Sequence, residues 1–121
     1  MEALIIDETE STPKIELNPV KNEFLIQGIS MHENPPSFYK EVIDWVEEYK
    51  KSPIRDANFE IQLEYFNSSS ALVLSDLMKR ICSIGNQNKI VWKYKTDDED
   101  LKEAGEEYRM IIGDNVVLEE I

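Results

Sequence analysis

Between Asn58 and Ile81 the hydrophobic period changes once, from two to about 3.6, and that change dictates most of what the chain can fold into. Phe59, Ile61, Leu63 and Tyr65 alternate with Asn58, Glu60, Gln62 and Glu64, the pattern of a strand buried on one face. Leu74, Leu77, Met78 and Ile81 then recur at helical spacing. A strand covered by helices on both sides would read as continuously apolar. This one has a polar second face, so helices are expected mainly on one side of the sheet, with the other side wet.

The junction between the two periods is Asn67-Ser68-Ser69-Ser70. Short side-chain oxygens accept hydrogen bonds from the unpaired amides that open a helix, so these residue types cap. The same amides, with the positive end of the helix dipole, stabilise an anion. A serine here can carry a phosphate with little strain. The alternative is that the serines only cap. Asn67-Ser68-Ser69 also fits the N-glycosylation pattern, which would require secretion.

The same patterns order the rest of the chain. Residues 3–8 and 13–18 carry short apolar runs, and Asn18-Pro19-Val20-Lys21-Asn22 reads as a turn into a third strand at Glu23–Gln27, so residues 13–28 predict a hairpin. Phe38, Val42, Trp45, Val46 and Tyr49 form an apolar stripe that predicts a helix over 36–50. Strand 57–66 and helix 69–84 follow, the helix ending at Gly85-Asn86. Ile90, Trp92 and Tyr94 share one face of the next strand. Asp97-Asp98-Glu99-Asp100 opens a helix whose stripe is Leu101, Ala104, Tyr108, Ile111 and Ile112, and Val116-Val117-Leu118 forms a last strand. Gly105 within that helix costs about 1 kcal/mol relative to alanine. The order β-β-β-α-β-α-β-α-β predicts a mixed α/β (α+β) domain spanning residues 1–121, with about six strands and three helices. Strands joined through helices should pair in parallel, and the N-terminal hairpin antiparallel.

Composition narrows the function classes. The 121 residues suit one domain with a real core. Twenty-five acidic against 13 basic residues give a net charge of −12. That field repels phosphate backbones and anionic lipid, so neither nucleic acid nor membrane is an expected partner. It attracts and accelerates encounter with a basic protein surface. The N-terminus, Met1-Glu2-Ala3-Leu4-Ile5-Ile6-Asp7-Glu8, lacks the basic region of a signal peptide, and the single cysteine, Cys82, suits a reducing compartment. A cytoplasmic location is the expectation.

Catalytic signatures are lacking. The four glycines are scattered, so no phosphate-cradling loop is formed. His32 is the only histidine; it lies in a loop, and no G-x-S-x-G elbow accompanies it. His32-Glu33-Asn34-Pro35 is not a zinc-hydrolase motif, and the acidic run 97–100 does not fit a calcium loop. Carboxylates in the first turn of a helix are explained by its dipole. Neither enzyme activity, nor a catalytic residue, metal or cofactor is expected.

A wider set of residues carries a resemblance. Thr12-Pro13-Lys14-Ile15, Gly28-Ile29-Ser30-Met31-His32-Glu33-Asn34, Phe38-Tyr39, Leu63-Glu64-Tyr65-Phe66-Asn67-Ser68-Ser69-Ser70, and Trp92-Lys93-Tyr94 followed by Asp97-Asp98-Glu99-Asp100 and Glu103-Ala104-Gly105-Glu106 together resemble the SiaC family of regulatory phosphoproteins. That family is similar in fold and logic to STAS-type anti-sigma-factor antagonists. The resemblance implies a partner switch: a GHKL-type Ser/Thr kinase phosphorylates the hydroxyl after the asparagine, a PP2C-type phosphatase removes the phosphate, and the unmodified protein activates a GGDEF-type diguanylate cyclase, linking it to cyclic-di-GMP and biofilm formation. By motif the phosphoacceptor is Ser68, with Ser69 and Ser70 as lesser candidates. Partner contacts fall on Tyr65, Asn67, Ser68, Ser69 and Ser70. The alternative is a constitutive acidic adaptor whose serines only cap.

Overall fold

The computed structural model describes residues 1–85 and 87–121. Its elements are β1 (Leu4–Ile6), β2 (Lys14–Asn18), β3 (Glu23–Ser30), α1 (Pro35–Lys51), β4 (Asn58–Phe66), α2 (Ser68–Cys82), β5 (Lys89–Tyr94), α3 (Glu99–Ile112) and β6 (Val116–Glu120). The order expected from periodicity holds, and the boundaries shift by a few residues. The expected end of α2 at Gly85-Asn86 involves Asn86, which lies outside the described residues. The helix itself closes at Cys82, because the Ser83 hydroxyl donates to the Arg80 carbonyl at 2.6 Å and the Ser83 amide to those of Lys79 and Arg80.

The six strands form one sheet in sequential order, β1-β2-β3-β4-β5-β6. β1, β2 and β3 pair antiparallel, whereas β3–β4, β4–β5 and β5–β6 pair in parallel. Sequential parallel order means that every crossover steps the same way. Crossovers of one hand then place all their helices on one face. The burial pattern agrees: Ile15, Leu17, Phe24, Ile26, Phe59, Ile61, Leu63, Ile90 and Trp92 form one buried cluster with the apolar stripes of α1, α2 and α3. Lys14, Glu16, Gln27, Glu60, Gln62 and Lys93 stand on the half-wet face, where Lys14 pairs with Glu16 at 3.0 Å and Lys93 with Glu60 at 3.3 Å.

The expected alternation fails at one place. Gly28 pairs with Leu63 but Ile29 with Tyr65, so Glu64 is an extra residue in β4. A one-residue bulge reverses the faces beyond it. Tyr65, expected on the core side, is 53% exposed on the open face. Phe66 turns inward instead and meets Trp92 edge-on at 5.9 Å. Gly28, at φ +126°, supplies the opposing backbone conformation that a side chain rarely adopts.

Two helical stripes hold for most of their residues and differ at single positions. In α1, Val42, Trp45, Val46 and Tyr49 are buried as expected, but the stripe begins at the fully buried Tyr39, while Phe38 is half-buried. In α3 the inward residues are Leu101, Gly105 and Tyr108, and Ile111 is exposed. Gly105 lets α3 approach Trp92: a Cβ there would lie 2.8 Å from the indole Nε1 and closer still to Cδ1.

Candidate functional site

The serine junction lies where β4 ends, beside the end of the parallel strand β3. Asn67 is the N-cap of α2, its Oδ1 accepting the Ser70 amide at 2.9 Å. The cap is therefore the asparagine, and the serines are left to other roles. Ser68 and Ser69 are exposed, and neither amide donates to a partner among the described residues. Substituting Asn67 by alanine is expected to cost about 1 kcal/mol, read as a lower urea midpoint at unchanged m-value.

Ser70 faces the other way and is wholly buried. Its hydroxyl donates to the Ser30 carbonyl at 3.0 Å and accepts from the Ser30 hydroxyl at 2.9 Å. Since the single Ser30 proton is committed to Ser70, the Tyr39 hydroxyl donates to Ser30 Oγ, at 2.8 Å. The Ser30 carbonyl also accepts the Asn67 amide at 3.1 Å. From the other side the Tyr108 hydroxyl donates to the Ala71 carbonyl at 2.8 Å. Three elements thus grip the first turn of α2: β3 through Ser30, α1 through Tyr39 bonded to it, and α3 through Tyr108. A hydroxyl on the outer side of that turn is carried on a firm support.

Two serines of the same helical turn should then respond differently to truncation. Ser70→Ala leaves the buried Ser30 hydroxyl without its acceptor and is expected to cost about 1–3 kcal/mol. Ser68→Ala removes an exposed hydroxyl and should stay within about 0.5 kcal/mol. Thermal unfolding of the two variants checks the pair.

Burial pushes the Tyr39 phenol up to about 12, against a smaller lowering by its bond to Ser30. Tyr108 is raised in the same direction, by burial first and then by the charges of Tyr39 and Glu107. A tyrosine whose pKa is higher in the folded chain stabilises it fully below the unfolded value near 10. That contribution is lost as pH rises through the folded value. Between pH 10 and 12 the wild type should therefore lose about 2 kcal/mol more than Tyr39→Phe. Urea titrations at both ends of that window give the difference.

The other candidates have local explanations. His32 Nδ1 accepts the Asn34 amide at 2.8 Å and its ring lies 6.0 Å from Phe38, so its bonding partner is backbone, not a serine hydroxyl. Asp98 caps α3 by accepting the Leu101 amide at 3.1 Å, and Glu99 and Asp100 occupy the first turn. Burial raises the pKa of the half-buried Cys82 thiol. Among the described residues no helix is long and apolar enough to cross a membrane. Sequence reading missed Ser30 and Tyr39 as members of the site. The spacing 35, 39, 42, 46, 49 in α1 was the signal for Tyr39, and nothing local marked Ser30.

Comparison with known proteins places this arrangement. The family model described as SiaC family regulatory phosphoprotein matches residues 6–119. The chain belongs to the SiaC family. An uncharacterized protein of Pseudomonas aeruginosa (strain UCBPP-PA14) is 31% identical over 112 residues, covering 90% of this chain and 89% of that protein. The structure of SiaC of Pseudomonas aeruginosa matches with a TM-score of 0.84 at 27% identity, over 100% of both chains. A chain in the crystal structure of the diguanylate cyclase SiaD in complex with its activator SiaC, also from Pseudomonas aeruginosa, matches with a TM-score of 0.88 at 27% identity, over 98% of this chain and 99% of that one. This SiaC-family chain is thus a regulatory protein and not an enzyme.

Proposed function

We propose that this chain is the switch of a bacterial partner-switching pathway. A GHKL-type kinase phosphorylates Ser68, a PP2C-type phosphatase reverses the step, and the unphosphorylated form binds and activates a GGDEF diguanylate cyclase. One observation carries the reading: Ser68 presents a free hydroxyl on the first turn of a helix whose cap is already Asn67 and whose inner face is pinned by Ser70. Neither capping nor packing accounts for that hydroxyl. The similarity to SiaC, which in its complex with SiaD is the activator, supports the choice of partner.

Geometry speaks against Ser70, and the resemblance selects Ser68 over Ser69. Ser70 has its hydroxyl inside the fold, where a phosphate has no room and no water. Ser69 is exposed, but the resemblance puts the acceptor directly after the asparagine. Phosphorylation at Ser68 adds about −1.5 to −2 charges. The local amides and helix dipole tolerate it, so the domain stays folded. A partner surface docked over the same turn would have to strip water from the phosphate, within a protein that already carries −12.

The experiment is to add purified chain, unphosphorylated or Ser68-phosphorylated, to the GGDEF cyclase of the same organism and follow cyclic-di-GMP formation. The unphosphorylated chain raises the rate and the phosphorylated chain does not. Equal activation by both forms would reduce the protein to a constitutive adaptor.

A further inference from the structure

We propose that the free edge of β6 pairs antiparallel with β6 of a second copy of this chain, across a two-fold axis at Leu118, and that Glu119 holds the association in check. The sheet ends in two unlike edges. β1 has only 3 residues, and so short a strand is a poor template for pairing. β6 has 5, keeps an unbroken register with β5 and contains neither proline nor lysine. Its guard against strand addition is the charge of Glu119 and Glu120. Beside it, Glu106, Arg109 and Met110 of α3 line an open cleft of about 510 Å³ with Gly113, Asp114 and Leu118. Met110, Ile111, Val117 and Ile121 are exposed large apolar side chains on these same two elements and the residue that follows them.

Backbone parity decides which groups of β6 point outward. The Ile90 amide donates to the Asn115 carbonyl at 2.8 Å, and the Ile121 amide to the Tyr94 carbonyl at 2.8 Å. In a parallel pair every second residue bonds to the neighbouring strand, so Asn115, Val117, Glu119 and Ile121 face β5. Leu118 and Glu120 therefore direct their amides and carbonyls to the outer edge. The Val116 carbonyl points the same way, while its amide donates to the Gly113 carbonyl at 3.1 Å. An antiparallel copy centred on Leu118 matches this parity. Leu118 exchanges bonds with Leu118 of the second copy, and each Glu120 amide donates to the opposite Val116 carbonyl.

The same register sorts the side chains. Val116 stands opposite Glu120 and Val117 opposite Glu119 of the second copy, so no like charges meet directly. Centring the pair on Glu119 or Glu120 would set glutamate against glutamate, and centring it on Val117 would set Asp114 against Glu120. A strand that complements itself in parity, apolar centre and charge fits its own copy through an isologous contact. The two Glu119 positions become diagonal neighbours, about 7–8 Å apart. That lies within the Debye length of about 8 Å at physiological ionic strength and well beyond the ~3 Å at 1 M, so salt strengthens the pairing. A basic foreign strand drawn to the same glutamates would respond in the opposite sense. No residue of the first turn of α2 takes part, so the pairing stands apart from the phospho-switch reading.

The test is sedimentation velocity of the purified chain at about 100 μM, in about 0.15 M and about 1 M sodium chloride, with thermal unfolding of each variant alongside. The wild type is expected to show a monomer–dimer equilibrium that the higher salt tightens at least threefold. Glu119→Gln should tighten it at least threefold at the lower salt and flatten the salt dependence. Glu120→Pro removes the outward amide and should weaken the dimer at least tenfold, whereas Glu120→Gln, which keeps that amide, should stay within twofold of wild type. Edge strands accept proline where the N–H faces solvent, so the fold should persist. Val117→Glu, set against Glu119 of the second copy, should also weaken the dimer tenfold and serves if the proline lowers the unfolding midpoint. Ile5→Glu, at an exposed position on the opposite edge, should leave the equilibrium within twofold of wild type. A wild type that is monomeric at both salt concentrations overturns the proposal. So does a dimer that higher salt weakens, one indifferent to Glu120→Pro and Val117→Glu, or one that Ile5→Glu abolishes.

Discussion

Ser68→Glu is expected to abolish measurable activation of the proposed cyclase partner while its unfolding midpoint stays within about 2 °C of wild type, and Ser68→Ala is expected to behave as the permanently active form. Two properties of the site set this expectation. The side chain is exposed and makes no bond to another of the described residues, so neither substitution breaks an interaction among them. Its position on the first turn of α2 lets the helix dipole and the free amides of Ser68 and Ser69 accommodate a negative group. The effect should therefore fall on the complex. Desolvating an anion against a docked partner costs several kcal/mol when no new ion pair forms, which is on the order of a hundredfold or more in affinity. Paired binding and melting curves separate this from destabilisation. If Ser68→Glu loses binding and melts early by the same proportion, the switch would be only local unfolding.

The second large effect lies in the core. Gly105→Leu should destabilise by about 3 kcal/mol or more, lowering the midpoint by roughly 10 °C. Alanine recovers about 1 kcal/mol of helix propensity, yet its Cβ would still press into the indole of Trp92. That ring has nowhere to go. It is fully buried, its Nε1–H donates to the Leu101 carbonyl at 2.8 Å, and its faces meet Phe66 at 5.9 Å and Tyr108 at 5.3 Å. α3 would have to lift away, taking Tyr108 and its bond to Ala71 with it. The first turn of α2 would lose one of its supports, so Gly105→Ala should also raise amide exchange around Ser68–Ala71. A Gly105→Ala protein as stable as wild type would show that α3 can shift freely.

Element order was written in the hydrophobic period, and the serine junction stood out because a strand pattern ran directly into a helix pattern. The expectation of helices mainly on one face followed from the polar side of β4, whereas the sequential strand order became visible only in the structure. What periodicity could not show was where it breaks. One extra residue at Glu64 sends Tyr65 to the open face and Phe66 to the core, and no side-chain type there announces a bulge. Gly105 read as a weakness in α3 because its partner, Trp92, is adjacent only after folding. The Tyr39–Ser30–Ser70 network likewise joins residues up to 40 positions apart. A buried serine and an exposed serine look the same in sequence. The fold alone distinguishes Ser70, which stabilises the turn, from Ser68, which that turn presents to solvent.

The most direct measurement is phosphosite mass spectrometry, with intact mass, on the protein purified from its native host under several growth conditions. The account predicts a species carrying one phosphate, located on Ser68, interconverting with an unmodified species as conditions change. A phosphate found only on Ser69, or a chain unmodified in every condition, would contradict it.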